Sequence, residues 1–162
     1  PLFRDDPNTI RALFVAAGIG QVIATRASIA GASGGCQAEI GSASAMAAGA
    51  LVYLRGGSCE QILAAVAMSL KNLLGLVCDP VSGLVEVPCV KRNVIGAVNA
   101  MSAADMALAG IQSMIPADQV IDAMKEVGDL MDVSLRETGR GGLAATRRGV
   151  EIRERLQGEA AE

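Results

Sequence analysis

Residues 118–137 read DQVIDAMKEVGDLMDVSLRE, and their apolar positions recur at steps of three and four. These positions are Ile121, Met124, Val127 or Gly128, Met131 and Leu135. Such spacing gathers them on one face of an α-helix. No segment shows persuasive strand-like alternation or a hairpin signal. We therefore predict an all-α fold, a compact helical domain with a buried central helix and glycine-rich loops.

Helix signals extend from this stretch towards the N-terminus. Asp6 and Pro7 form an acidic cap followed by a proline in the first turn, which predicts the start of a helix within residues 5–30. An alanine-rich stretch, residues 37–54, predicts a second helix, separated from the first by the glycine-rich turn GASGGC. Ser58 then begins a further helix, with Gln61 completing a capping box.

The segment VIGAVNAMSAADMALAGIQSMI (94–115) is long and nearly uncharged, as a membrane span is. Four polar residues interrupt it, namely Asn99, Ser102, Asp105 and Gln112. We therefore interpret it as a central helix buried on all sides and expect no membrane partner. After the amphipathic stretch, a second glycine-rich turn (139–146) precedes a charged tail.

Composition narrows the classes of function. The chain has 162 residues, 51% of them hydrophobic and 19% charged, which predicts one folded domain spanning 1–162. A net charge of −3 and 2% aromatic residues argue against a nucleic-acid partner. The first residues, PLFRDDPN, show no signal peptide and no initial Met, so we expect a segment of a longer, cytoplasmic protein. Because the chain has no histidine, an imidazole base would have to come from elsewhere.

Four cysteines, Cys36, Cys59, Cys78 and Cys89, are the residues that carry chemistry. Cys36 ends a glycine turn where a helix should begin, and Cys89 lies close to two basic residues, so both settings favour a thiolate. Cys78 precedes an Asp-Pro turn, whereas Cys59 lies in an ordinary capped helix and is interpreted as a bystander. Three thiolates without histidine suit iron–sulfur better than zinc. Disulfides and buried reduced thiols remain open alternatives at this point.

Three segments carry a resemblance to a known family. GGCQAEIGSASAMAA (34–48), GLVCDPVSGLVEVPCVKRN (75–93) and RETGRGGLAAT (136–146) resemble signature segments of iron–sulfur-dependent L-serine dehydratase, also called L-serine ammonia-lyase. The likeness is to the alpha chain, or to the C-terminal catalytic domain of single-chain members. It covers about residues 28–150.

The resemblance implies a function and a cofactor. It implies deamination of L-serine to pyruvate and ammonia, with Cys36, Cys78 and Cys89 holding a [4Fe–4S] cluster that leaves one iron open to the substrate. It also implies a beta domain or beta chain that this sequence lacks, and a homo- or hetero-oligomer. Two departures stand out: Arg147 follows Thr146 where members commonly have proline, and no cysteine follows Cys89.

Residues near the cysteines are candidates for binding the substrate. Backbone N–H groups of Ser33, Gly34 and Gly35 could form an anion nest at a helix start, although a plain tight turn has the same sequence. Arg92 and Asn93 could clamp the substrate carboxylate, the alternative being a surface ion pair.

The resemblance also requires a general base, for which two sources are considered. Lys91, two residues after Cys89, is one candidate provided that it is buried, and its plain alternative is a solvated lysine. A histidine from the missing domain is another. Glu39 and Glu86 are interpreted as capping or surface groups, and GRGGLA (139–144) as structural. Two rival functions remain: a related L-cysteine desulfidase, and a non-catalytic helical module with buried thiols.

Overall fold

The computed structural model describes residues 6–159, and no strand occurs within that range. Seven α-helices occur in it: α1 (Pro7–Arg26), α2 (Gly31–Gly34), α3 (Ser42–Leu54), α4 (Cys59–Asn72), α5 (Cys89–Leu108), α6 (Ala117–Leu130) and α7 (Arg147–Glu159). A π-helical turn, Gln37–Gly41, leads into α3. Short 3-10 turns lie at Val81–Gly83, Val133–Leu135 and Gly142–Ala145. The predicted all-α fold is confirmed.

Several predicted helix ends are confirmed by their caps. The side chain of Asp6 accepts a hydrogen bond from the N–H of Asn8, and Pro7 occupies the first turn of α1. The capping box of α4 is present, because Ser58 and Gln61 each hydrogen-bond the backbone of the other. Both caps satisfy N–H groups that a helix start would otherwise leave without partners.

The central helix is α3, which packs against α1, α4 and α5. Its inner face is made of small residues such as Ala45, Ala48 and Gly49, and these let the neighbouring helices approach closely. Two core clusters result: in one α3 packs with α1, α4 and α6, and in the other with α4 and α5. Burial of this aliphatic surface is the main force that holds the helices together.

Helix α5 differs from the prediction. It buries a face of small residues, Gly96, Ala100, Ala103, Ala104 and Ala107. Its larger apolar residues, including Val90, Val94 and Met101, lie on the exposed side. The expectation that this segment is buried on all sides was wrong, because only the small residues fit against α3 and α4.

The amphipathic stretch 118–137 also ends earlier than predicted. Helix α6 stops at Leu130, after which Met131 adopts an extended backbone. The side chain of Asp132 then accepts a hydrogen bond from the N–H of Ser134 and starts a 3-10 turn. Conversely, the charged tail, for which no helix was predicted, forms α7.

By length and composition alone, α1 is apolar enough to cross a membrane, and it is the one such helix among the residues described. Core helices of soluble proteins and N-terminal signal sequences meet the same criterion. In this structure α1 packs along α3.

Candidate metal centre

Two of the four cysteines meet in the interior. Cys36 lies just before the π-helical turn and Cys78 in the loop after α4, yet their Sγ atoms and a carboxylate oxygen of Glu39 all lie within 4.8 Å of one another. The thiols are 1% and 3% exposed, respectively. Ile40 packs with them, and the partly buried side chains of Leu73 and Leu76 border the cluster. Such a group of sulfur and carboxylate donors can hold a metal ion.

Backbone hydrogen bonds fix the loop that carries Cys78. Its N–H donates to the carbonyl of Leu135 at 2.8 Å, and its own carbonyl accepts from the N–H of Glu137 at 2.8 Å. An isolated parallel bridge thereby joins Cys78 to Arg136. The segment after α6 is therefore attached directly to a predicted ligand.

Gln37 holds the segment that carries Cys36. This buried side chain donates to the carbonyl of Met124 at 2.9 Å and accepts from the N–H of Gly75 at 2.9 Å. Its backbone N–H donates to the carbonyl of Leu76 at 2.8 Å. Three bonds on one residue thus link the π-helical turn to α6 and to the loop that leads to Cys78.

Asp79 and Arg92 form a buried ion pair beside the thiols. Asp79 is 3% exposed and accepts from the guanidinium of Arg92 at 2.7 Å. The same Nη1 donates to the carbonyl of Val77 at 2.8 Å and lies 4.0 Å from Sγ of Cys36. The second oxygen of Asp79 accepts from the N–H of Leu143 at 2.8 Å. The carboxylate of Asp79 thus joins the loop that carries Cys78 to α5 and to the second glycine-rich turn.

The third predicted ligand, Cys89, is the first residue of α5 and is partly exposed. It does not belong to the group of donor atoms within 4.8 Å, but its helix also carries Arg92, which approaches Sγ of Cys36. Cys59 is exposed at the start of α4, an element that carries none of the other three cysteines.

The structure corrects the prediction that two of the cysteine settings favour a thiolate. Burial raises the pKa of the Cys36 thiol, although hydrogen bonds from Cys78 and Arg92 act in the opposite direction. Burial also raises the pKa of Cys78, with the neighbouring Cys36 adding to it, and burial is the largest cause at Cys89 as well. Desolvation therefore outweighs the helix dipole and nearby basic groups. Ionisation of these thiols would be favoured by a bound cation.

In the predicted anion nest, residues 33–35, the backbone N–H groups already donate hydrogen bonds to backbone carbonyls. Ser33 and Gly34 donate to the carbonyl of Ala30 at 3.1 and 3.0 Å. Gly35 donates to the carbonyl of Gly31 at 2.8 Å. The role of Ser33, Gly34 and Gly35 in substrate binding stays a prediction, and in this geometry it would require those bonds to open.

The other predicted residues lie at the start of α5. Arg92 pairs with Asp79 as described, and the side chain of Asn93 donates back to the carbonyl of Cys89 at 3.0 Å. Lys91 is exposed. Their roles as carboxylate clamp and general base stay predictions.

Three residues that matter for this geometry were missed or underrated from the sequence. Asp79 was seen only as part of a turn, and Gln37 was not singled out. Glu39 was interpreted as a capping or surface group, but its carboxylate faces the thiols. All three lie within three positions of Cys36 or Cys78, and this proximity was the available signal. It could not show which way the side chains point.

The fold and the site together define a helical protein with a thiol-lined candidate metal centre. A family model described as the serine dehydratase alpha chain matches residues 3–144. This chain therefore belongs to the serine dehydratase alpha chain family.

Curated relatives support the same assignment. The chain is 64% identical over 151 residues to the probable L-serine dehydratase alpha chain of Bacillus subtilis (strain 168), covering 93% of this chain and 50% of that protein. It is 61% identical over 150 residues to the corresponding protein of Latilactobacillus sakei, covering 93% of this chain and 72% of the relative. It is 56% identical over 149 residues to the L-serine dehydratase alpha chain of Peptoniphilus asaccharolyticus, covering 91% of this chain and 51% of that protein. The chain thus spans about half the length of the first and third relatives.

Proposed function

We propose that the complete protein is an L-serine dehydratase that deaminates L-serine to pyruvate and ammonia. Within it, residues 1–162 form a helical domain that holds a [4Fe–4S] cluster through Cys36, Cys78 and Cys89. The observation that carries the proposal is the convergence of two buried thiols and Glu39 within 4.8 Å, in a chain of the serine dehydratase alpha chain family.

The donor set fits such a cluster. Soft thiolate ligands are those that iron–sulfur clusters use. Cys36 and Cys78 are already gathered, and Cys89 begins the helix whose Arg92 places Nη1 4.0 Å from Sγ of Cys36.

The residues of this chain prepare the site. When bound, the cluster would supply a Lewis-acidic iron for the hydroxyl oxygen of the substrate. Ile40, Leu73 and Leu76 limit the access of water to the thiols. Arg92, held by Asp79, places a positive charge 4.0 Å from Sγ of Cys36 and favours its thiolate form.

Proton removal from the α-carbon requires a base. Lys91, two residues after Cys89, stays a prediction for that base, but the role would require a buried amine and the side chain is exposed. A histidine could only come from another domain or subunit, because this chain has none.

The proposal extends to partners and location. We expect a beta domain or beta chain to complete the enzyme, in a homo- or hetero-oligomer that acts on the small molecule L-serine in the cytoplasm. We expect neither a nucleic acid nor a membrane as a partner, in line with the net charge of −3.

Anaerobic reconstitution with iron and sulfide tests the cluster. We expect broad visible absorption from thiolate-to-iron charge transfer. It should disappear in Cys36→Ala, Cys78→Ala and Cys89→Ala but persist in Cys59→Ala, the matched control. Equal loss of absorption in all four variants would contradict the ligand assignment.

Product assays on the reconstituted enzyme test the reaction. We expect pyruvate and ammonia from L-serine, with L-threonine and L-cysteine as comparison substrates. Sulfide release from L-cysteine without turnover of L-serine would select the L-cysteine desulfidase instead.

A further inference from the structure

Helix α3 is apolar on every side, and one of its sides is uncovered. Its sequence, SASAMAAGALVYL, contains no charged residue. A helix that is apolar all round is normally buried in a protein core. Three of its residues, Ala43, Ala47 and Leu54, are nevertheless exposed, and Ala50 is half-buried. The core formed by residues 6–159 therefore leaves part of its central helix open.

These four residues form one stripe on the side of α3 that faces away from α4. Because an α-helix turns by about 100° per residue, positions 43, 47, 50 and 54 share a face. Ala45 and Val52 lie on the opposite face and pack with residues of α4 in the two core clusters. The stripe therefore has no helix of the core behind which it is hidden.

The two remaining sides of α3 contact α1 and α5. A Cβ added at Gly20 of α1 would lie 2.9 Å from Sδ of Met46. On the other side, the hydroxyl of Ser44 donates to the carbonyl of Gly96 of α5 at 2.7 Å. The exposed stripe is thus the floor of a groove whose walls are α1 and α5.

Exposed apolar residues form both walls of this groove. On α1, Leu13 is 63% exposed and shares a face with Gly20, seven positions later. On α5, Ala97 and Met101 are exposed on the side away from Asn99, whose amide donates to α4. Floor and walls are uncharged at these positions, so an apolar occupant is favoured over water.

The dimensions of the groove fit an α-helix. Helix α3 has 13 residues, which corresponds to a length of about 20 Å. The alanines of the floor allow a further helix to approach to the usual interaxial distance of about 8–10 Å. The occupant is therefore a helix of similar length with one apolar face.

The relatives supply a source for such a helix. The matched region covers 50% of the alpha chain of Bacillus subtilis and 51% of that of Peptoniphilus asaccharolyticus. Each of these alpha chains thus contains about as many residues again outside the matched region. We propose that a helix from this other half of the alpha chain packs into the groove on α3 between α1 and α5 and completes the helical core.

A second copy of this chain fits the groove less well. A two-fold symmetric contact through this surface would place one groove against the other. Neither copy would then fill the floor of its partner. The proposal also depends only on the family and on the packing of α3, and not on the cluster or the reaction.

Labelling of a cysteine introduced on the floor tests the proposal. Ala47→Cys places a thiol in the groove, and Met114→Cys is the matched control, because Met114 is an apolar residue that is 93% exposed and lies outside the groove. In residues 1–162 alone, both positions should react rapidly with a maleimide. Peptide mass spectrometry separates the label at these positions from label on the native cysteines.

The comparison is a joined chain in which residues 1–162 replace the matched region of the Bacillus subtilis alpha chain. We expect labelling at position 47 to slow at least about tenfold in the joined chain, because the thiol becomes accessible only when the helix opens. Labelling at position 114 should not change. If the joined chain does not fold, the other half of the alpha chain, added in excess as a separate polypeptide, should slow labelling at position 47 in the same way.

A second measurement uses Ala47→Glu. This substitution should lower the midpoint of thermal unfolding of the joined chain by several degrees, since it buries a charge without a partner. The midpoint of residues 1–162 alone should stay within about one degree, because the position is exposed there.

Four results would overturn the inference. They are equally fast labelling at position 47 with and without the other half of the alpha chain, equal slowing at positions 47 and 114, slowing in residues 1–162 alone that rises with protein concentration and dimer formation, and slowing only after a beta chain is added. The third would assign the groove to a second copy and the fourth to the beta chain. None of these measurements requires a cluster or turnover, so a failure of the proposed reaction is a separate result.

Discussion

Asp79 shows how much a single buried side chain organises in this protein. Its two carboxylate oxygens accept hydrogen bonds from Arg92 and from the N–H of Leu143, which belong to segments far apart in sequence. The pair is well shielded, with side-chain exposures of 4% for Asp79 and 19% for Arg92. Removing one partner of such a pair leaves the other charged and poorly solvated, so the loss is larger than the net contribution of the pair.

We expect Asp79→Asn to lower the free energy of unfolding by about 3 kcal/mol, because the amide can satisfy one of the two donors but cannot balance the charge of Arg92. Urea denaturation of the metal-free protein measures this change. Asp129→Asn is the control, since Asp129 forms an exposed ion pair with Lys125 and should cost less than about 0.5 kcal/mol. Similar small changes in both variants would show that the buried pair is not important for stability.

At the scale of elements, the second glycine-rich turn (139–146) packs directly against the loop that carries Cys78 and Asp79. Gly142 has a φ of +57°, and a Cβ there would lie 2.4 Å from Oδ2 of Asp79. The N–H of Leu143 can therefore reach Asp79 only while position 142 has no side chain. Helix α7 depends on the same turn, because a Cβ at Gly149 would lie 2.4 Å from the carbonyl oxygen of Leu143.

Gly142→Ala should lower the free energy of unfolding by more than about 1–2 kcal/mol, the usual cost of placing a side chain on a left-handed backbone. The additional loss is expected because Asp79 must also move. Gly56→Ala separates the backbone strain from the contact with Asp79, because Gly56 has a φ of +75° but nothing within 4 Å of an added Cβ. Thermal or urea unfolding of both variants gives the comparison. Equal losses would mean that the contact with Asp79 adds nothing.

A polar network joins helices α3, α4 and α5 within an otherwise apolar core. The amide of Asn99 donates to the hydroxyl of Ser44 at 2.9 Å and to the carbonyl and hydroxyl of Ser69, both at 3.0 Å. Ser44 donates in turn to the carbonyl of Gly96 at 2.7 Å. The polar interruption in segment 94–115 therefore has a structural role, because it fixes how α5 lies against its two neighbours.

Asn99→Leu should lower the free energy of unfolding by about 2 kcal/mol, as it removes the shared donor and leaves two hydroxyl groups with fewer partners. Gln112→Leu makes the same chemical change at an exposed amide. We expect a change within about 0.5 kcal/mol for that control. If the two substitutions had equal effects on the urea midpoint, the network would not orient the helices.

At the scale of the whole molecule, the candidate metal centre connects segments that are distant in sequence. Cys36 precedes α3, Cys78 follows α4 and Cys89 begins α5. A cluster bound to all three would cross-link these parts in the folded state, and the unfolded chain would bind it poorly. Binding to the folded state alone raises stability by mass action.

Anaerobic reconstitution should therefore raise the midpoint of thermal unfolding by several degrees relative to the metal-free protein. Exposure to air should reverse the gain, because an iron without a protein ligand is open to oxidants. The Cys36→Ala/Cys78→Ala/Cys89→Ala variant provides the control and should show no gain. An equal rise in that variant would assign the stabilisation to non-specific metal binding.

The sequence by itself determined the all-α fold, the starts of α1 and α4 and the family resemblance. These features depend on local patterns: apolar spacing, caps and short signature segments. It also pointed to the right region, since Cys36 and Cys78 lie together in the structure. The exposed side of α5 was not predictable in this way, because a helix of small and large apolar residues gives no periodic signal for which face packs.

Only the tertiary structure decided that α3 is the central helix, that Asp79 neutralises Arg92 and that the carboxylate of Glu39 lies beside the thiols of Cys36 and Cys78. It also decided that burial raises the pKa of the thiols. The physical reason is the same in each case. Hydrogen bonding, charge pairing and desolvation depend on distances between residues that are separated in the sequence, by 13 positions for Asp79 and Arg92 and by 42 for Cys36 and Cys78. No local pattern encodes those distances.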